Sequence, residues 1–337
     1  MALVDNRTSH QNPTQPLLLH NYFGVKPTLA TAAFEGFEGI LKLYKPSHNS
    51  RGVFGGNLCA QALVVAMETA PVNFVPHLLH LYFVLAGCDE TKCSYTVERL
   101  SDGKVFCNRL IKVTQSGELK YVVMVSLTNK NLTHETRRRY EQTKSGQLGF
   151  EFQTPVNLTF YKYSLDELET IKDYDFSGLL EHKFPPNFCD HQVDIDEHKK
   201  TAAERDLLFW IRCNDERPHD SKYRYAGFGL ISDLIYLTSL LRILHLPAHD
   251  DPRFPIGPTG GKNNHFFSVL LDHAVYFHDD DFDPTDWTFV NFKTPRFSNN
   301  RVYIQAGYYN RQGKLFALVV QEGLVLFHGG SEFKAKL

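Results

Sequence analysis

The sequence predicts an α+β fold of two similar halves, each an antiparallel sheet wrapped around a long central helix. Three observations lead there. The stretch from Leu230 to Leu244 has helical length and is apolar almost all the way round, so it must be covered on nearly every side. Alternating segments separated by glycine-containing turns follow an apolar helix in each half. The two halves can also be registered on each other, and a repeat of this size has to be weighed before any single motif.

In chain order, Met1 to His20 is polar and rich in Asn, Gln, Ser and Pro, and residues 1–30 read as a tail. Residues 31–130 form the first unit. Phe54-Gly55-Gly56-Asn57 leads into an apolar helix over Leu58 to Ala70, which Pro71 ends. His77 to Leu85 reads as a buried strand. Ser94 to Leu100, Val105 to Thr114 and Leu119 to Thr128 then form a meander with turns at Ser101-Asp102-Gly103-Lys104 and Gln115-Ser116-Gly117-Glu118. Residues 131–204 carry Arg137-Arg138-Arg139, Pro185-Pro186 and mixed charge. They read as a partly ordered linker with solvated charge runs and one helix over Ser164 to Leu180.

Residues 205–328 repeat the first pattern. Leu207 to Arg212 is a strand, Gly227 and Gly229 precede the buried helix, and Ser268 to His278 is a strand. Trp287 to Phe292, Val302 to Asn310 and Leu315 to Phe327 make the second meander. Tyr82-Phe83 against Tyr276-Phe277 gives an offset of 276 − 82 = 194, and Gly117 against Gly313 gives 313 − 117 = 196. Phe54-Gly55 against Phe228-Gly229 gives 228 − 54 = 174, so an extra loop over His245 to His265 separates helix from strand in the second half. Two such units side by side would pair their sheets and leave pockets at the seam between the helices.

Composition excludes several classes. A formal net charge of −2 gives no reason to expect nucleic acid or an anionic membrane as a partner. No apolar run approaches the roughly 20 residues of a membrane span, and the N-terminus has no apolar core of a secretory signal. Six cysteines lack any CxxC spacing and read as reduced structural thiols, with no zinc site. The terminal Ala335-Lys336-Leu337 is of the Ser-Lys-Leu type, the address read by the peroxisomal import receptor.

Familiar chemical motifs fail. There is no Gly-x-Ser-x-Gly elbow. Gly257 to Asn263 has the wrong spacing for a phosphate loop. Asp279-Asp280-Asp281-Phe282-Asp283 carries Pro284 where a calcium loop needs glycine, and reads as a solvated turn. His273 after Asp272 reads as a hydrogen-bonded structural pair, since no third metal ligand is evident. What remains is Asp233 in the first turn of the buried helix, Ser268 at the head of an apolar strand, and Gln321 inside another. Asp233 is either a helix-start acid favoured by the dipole or a catalytic carboxylate. Gln321 is either a structural bridge or a site residue. Together, an acid, an amide and a hydroxyl are the parts needed to hold and deprotonate a water.

The chain resembles the acyl-CoA thioesterase II family, whose fold is the double hot-dog. The matching pieces are Val53 to Leu63, His80-Leu-Tyr-Phe83, Val97 to Lys104, Trp210-Ile-Arg212, Ile231-Ser-Asp233, Leu271-Asp-His273 with Tyr276-Phe-His278, and Gln321-Glu-Gly323, in order along the chain. The resemblance implies hydrolysis of acyl-CoA by a water that Asp233 and Gln321 activate with a Ser or Thr, and no cofactor. The family places that hydroxyl two residues before the Asp-His pair, where this chain has Leu270, and Ser268 stands two residues earlier. The alternative is a double hot-dog that binds acyl-CoA with little or no hydrolysis. A hydratase of the same fold would carry His five residues after the acid, where this chain has Thr238. A homo-oligomer is left open.

Overall fold

The computed structural model describes residues 17–31, 33–45, 50–143, 151–172, 178–215, 220–233, 239–245 and 265–328. The first half contributes strands β1 (Val25–Ala30), β2 (Glu35–Gly39), β3 (Phe74–Phe83), β4 (Ser94–Asp102), β5 (Phe106–Gln115) and β6 (Glu118–Asn129). The second contributes β7 (Ile171–Lys172), β8 (Leu180–Lys183), β9 (Asp206–Cys213), β10 (His265–Phe277), β11 (Thr288–Ser298), β12 (Arg301–Tyr309) and β13 (Leu315–His328). Both meanders form because residues alternate between a buried and an exposed face, as in β5, and both expected turns pass through positive φ, 82° at Gly117 and 75° at Gly313. The turn after β4 begins later than the sequence suggests, because Ser101 and Asp102 stay paired to Asn108 and Cys107.

The two expected sheets are one. All strands join in a 13-stranded antiparallel sheet of order β1-β2-β4-β5-β6-β3-β10-β13-β12-β11-β9-β8-β7. The halves meet where β3 pairs with β10, and His80 lies opposite Ala274. Their separation, 274 − 80 = 194, is the repeat offset read from Tyr82 and Tyr276, so a pseudo-two-fold axis passes through this pair.

The helices in chain order are α1 (Leu19–Tyr22), α2 (Gly55–Glu68), α3 (Lys130–Thr143), α4 (Thr159–Lys162), α5 (Pro186–Cys189), α6 (Ser221–Ile231) and α7 (Ser239–Ile243). Helix α2 is buried without a break from Gly56 to Ala66, as its apolar sequence requires. The second helix departs from expectation. It starts at Ser221, capped by the Asp220 side chain on the Lys222 N–H, and ends at Ile231. Residues 234–238 lie outside the described residues. Gly227 and Gly229 therefore sit inside α6, not ahead of it. A Cβ on Gly229 would come within 2.9 Å of Ala60 Cα, so this glycine lets the two helices touch backbone to backbone.

The expected linker is more structured than its charge suggests. It supplies α3, and β7 and β8 extend the sheet beyond β9, where a helix over Ser164 to Leu180 was expected. Arg242 of α7, buried, takes both carboxylate oxygens of Glu197 and the carbonyls of Asn187 and Phe188, which ties this segment to the second half. The acidic run is not a simple solvated turn either. The buried Asp279 carboxylate pairs with Lys314 and Arg137, and Phe282 stacks on Phe316 inside the core.

Candidate active site

Asp233 lies two residues past the end of α6, not in a first turn, and at that end the helix dipole disfavours a carboxylate. A second helix compensates. The Gly56 N–H at the start of α2 donates to Asp233, and a Cβ on Gly55 would stand 2.5 Å from Asp233 Oδ2. The two-glycine start of α2 thus makes room for the acid of the other half. Burial raises the Asp233 pKa from its ordinary 3.8 to about 7, against the lowering effect of bonds from Gln321 and Gly56. The titratable groups around it are Cys59 of α2, whose thiol is pushed up by burial, Tyr308 of β12, raised likewise, and His273 of β10.

Gln321 is brought to Asp233 as expected. Its Nε2 donates to Asp233 Oδ1 at 2.7 Å, and the residue is fully buried in β13. Among the described residues its Oε1 has no hydrogen-bond donor. His273 lies directly across from Gln321 in the β10–β13 register, and Gln321 Nε2 is 2.5 Å from His273 Nδ1. The other ring nitrogen, Nε2, is 2.9 Å from Ser232 Oγ, which itself donates to the Gly229 carbonyl. Burial lowers the His273 pKa to about 3, so the ring is neutral.

The expected Asp272–His273 pair is not what forms. His273 belongs to the buried cluster, whereas Asp272 accepts from the Glu322 N–H on the half-exposed side. Ser268 is not brought to the cluster either. The register of β10 shifts between Leu270 and Asp272, leaving Leu271 as a bulge. This puts Ser268 and Leu270 on the face of Gln321, opposite Val325 and Gly323 respectively. Val325 is four positions from Gln321, roughly 13 Å along a strand. The buried hydroxyl that does reach the cluster is Ser232, through His273. Sequence reasoning passed over Ser232, although it adjoins Asp233, and read His273 as a structural partner of Asp272, although its partners are Gln321 and Ser232. No group of three or more potential metal ligands occurs among the described residues.

Two helices packed on each other at Gly229 and Ala60 and a continuous antiparallel sheet place the chain in the hot-dog class of fold. Solved structures agree on the fold. The acyl-CoA thioesterase II TesB2 of Mycobacterium marinum superposes with a TM-score of 0.66 at 20% identity, covering 94% of this chain and 99% of that one. A hot-dog protein of Alicyclobacillus acidocaldarius does so at 0.59 and 14%, covering 92% and 98%. The acyl-CoA thioesterase N-terminal domain matches residues 44–129 and the C-terminal domain residues 169–325. The chain belongs to the acyl-CoA thioesterase family of thioester hydrolases. Among its relatives are the peroxisomal acyl-coenzyme A thioester hydrolase 1 of Saccharomyces cerevisiae, 26% identical over 85% of this chain and 89% of that protein, and rat acyl-coenzyme A thioesterase 8, 25% identical over 84% of each.

Proposed function

We propose that this protein hydrolyses acyl-CoA thioesters to free fatty acid and CoA, with a water activated by Asp233 and Gln321. The observation that carries the reading is the buried Asp233 carboxylate, held by Gln321 at 2.7 Å and poised near neutrality. A base of that pKa is half ionised at neutral pH and takes a proton readily. In the reaction, ionised Asp233 accepts one proton from the water as its oxygen bonds to the thioester carbonyl carbon. The resulting oxyanion collapses, the carbon–sulfur bond breaks, and the proton held on Asp233 goes to the departing CoA thiolate. Backbone N–H groups at the start of α2 are suited to hold the oxyanion, although that of Gly56 is committed to Asp233. Two hot-dog units, 31–130 and 205–328, joined by the connector 131–204, form the frame.

Thiol release from a series of acyl-CoAs of increasing chain length tests this. Hydrolysis of any of them supports the reading; tight binding without thiol release supports the non-catalytic alternative, which Leu270 in place of a hydroxyl motivates. Ser268, distant along its strand, has the weaker claim to a catalytic role. Action in the peroxisomal matrix rests on Ala335-Lys336-Leu337, which lies outside the described residues. Loss of peroxisomal import on removing that tripeptide is the matching experiment. Size-exclusion chromatography with light scattering addresses a homo-oligomer.

A further inference from the structure

We infer that Ser232 and His273 are positioning residues which fix the orientation of the Gln321 amide throughout the reaction. The inference rests on the reading of Asp233 and Gln321 as the water-activating pair and adds what holds them.

The hydrogen bonds run in one direction only. Ser232 has a single hydrogen, and it is given to the Gly229 carbonyl at 2.8 Å. Toward His273 Nε2, at 2.9 Å, the Ser232 oxygen then accepts, in agreement with the other end of the ring: the Gln321 amide nitrogen can only donate, so the neutral imidazole carries its proton on Nε2. His273 Nδ1 is then a bare acceptor, and it takes one hydrogen of the Gln321 amide at 2.5 Å. The second amide hydrogen goes to Asp233 Oδ1 at 2.7 Å. Both donors of Gln321 are thereby used, and its carbonyl Oε1 is the atom left without a donor among the described residues.

The relay closes on itself. Ser232 and Asp233 are consecutive at the end of α6, and His273 and Gln321 are direct partners across β10 and β13. Two backbone neighbours thus hold two cross-strand neighbours, and no member can turn without breaking a buried bond.

An ionised Asp233 alone would keep the amide hydrogen pointed at it. Once Asp233 has taken the water's proton, that attraction weakens and the amide could turn over, placing Oε1 against the carboxyl and Nε2 toward the reacting centre. His273 prevents this, because its Nδ1 accepts from the amide whichever form Asp233 is in. Burial keeps the ring neutral, so it does not become a competing donor. The water then meets two acceptors, the Asp233 carboxylate and Gln321 Oε1, and needs no hydroxyl at Leu270.

Two substitutions and one spectroscopic measurement test this. His273→Phe removes the acceptor and leaves one amide hydrogen unpaired. It should lower kcat at least about tenfold, the rate equivalent of one buried polar group left unsatisfied, with KM within about twofold. The acid limb of its pH–rate profile should also move up, because a disordered Gln321 no longer lowers the Asp233 pKa. His273→Asn keeps an acceptor near the Nδ1 position and should recover most of kcat and return the limb. Equal losses in the two variants with an unmoved limb, or no loss in either, overturn the inference. In the wild-type protein, nitrogen NMR of labelled histidine, with the His273 ring assigned through its own backbone resonances, should show a protonated Nε2 and bare Nδ1 from about pH 5 to about pH 8. A protonated Nδ1 overturns it even if both variants fail to fold. Full turnover by Asp233→Asn would instead refute the underlying pair while leaving the tautomer result to stand or fall by itself.

Discussion

Gln321 Nε2 and Asp233 Oδ1 are 2.7 Å apart across 88 positions of sequence, and both are buried. The bond joins a residue just past the end of α6 to the strand that completes the second meander. It is made at the one place where α6 ends against the glycine start of α2. The four side chains of the cluster all belong to the second half, and the glycine start of α2 in the first half shelters its acid.

Because burial lifts the Asp233 pKa to about 7, the reaction should show a pH dependence unusual for a carboxylate base. The active form is the ionised one, so kcat/KM should rise with pH through about 7 and level off above it. An acid limb near the ordinary aspartate value of 3.8 would mean that Asp233 is not the group being titrated.

The same shift acts on stability. Between 3.8 and about 7 the folded protein holds a proton on Asp233 that the unfolded chain has lost. Stability from this group therefore falls as pH rises through that window, by on the order of a few kcal/mol in all. Asp233→Asn has no such charge. Its urea midpoint, compared with wild type, should improve between about pH 5 and about pH 8. A difference that stays constant with pH would contradict the assigned shift.

Ser268 sits opposite Val325 and away from Gln321, whereas Leu270 lies opposite Gly323, two positions from it. Ser268→Ala should leave kcat within about twofold of wild type. Leu270→Thr, which restores a hydroxyl where the family carries one, should keep or raise activity. A loss of about a hundredfold in Ser268→Ala would show that the strand shifts in solution to bring that hydroxyl to the water.

At Gly229 a methyl group would meet Ala60 Cα at 2.9 Å and Ala60 N at 3.0 Å. Alanine gains about 1 kcal/mol of helix propensity over glycine, and forcing the helices apart costs about 1–3 kcal/mol. Gly229→Ala should lower Tm in a thermal melt, and Gly229→Val more so. A rise in Tm for both would mean that the helices do not touch here.

Much of the fold is legible in the sequence because strands advertise themselves through period-two burial. The repeat offset of 194 carries further than the strands, since it names the seam pair His80 and Ala274. The helix end was not legible. Gly227 and Gly229 look like punctuation before a helix, yet they are contact points within one, Gly229 against the backbone of Ala60 and Gly227 against Pro284 and Leu19, and only the fold brings those neighbours to them. Misplacing that start also put Asp233 in a first turn, where the dipole offers a bland explanation for it. The faces of β10 were hidden for a different reason. A bulge at Leu271 reverses the alternation, so Ser268 and His273 share a face that simple parity would deny them. Ser232 went unnoticed, and His273 was paired with Asp272, because their contacts depend on a register that no local pattern encodes.

The central claim is that Asp233 is the base that deprotonates the attacking water. Thiol release by Asp233→Asn, measured above pH 7 with an acyl-CoA the wild type hydrolyses, addresses it most directly. Loss of kcat by about 10²–10⁴-fold, with acyl-CoA still bound and the fold intact by circular dichroism, is the predicted result. Turnover within a few fold of wild type would contradict it.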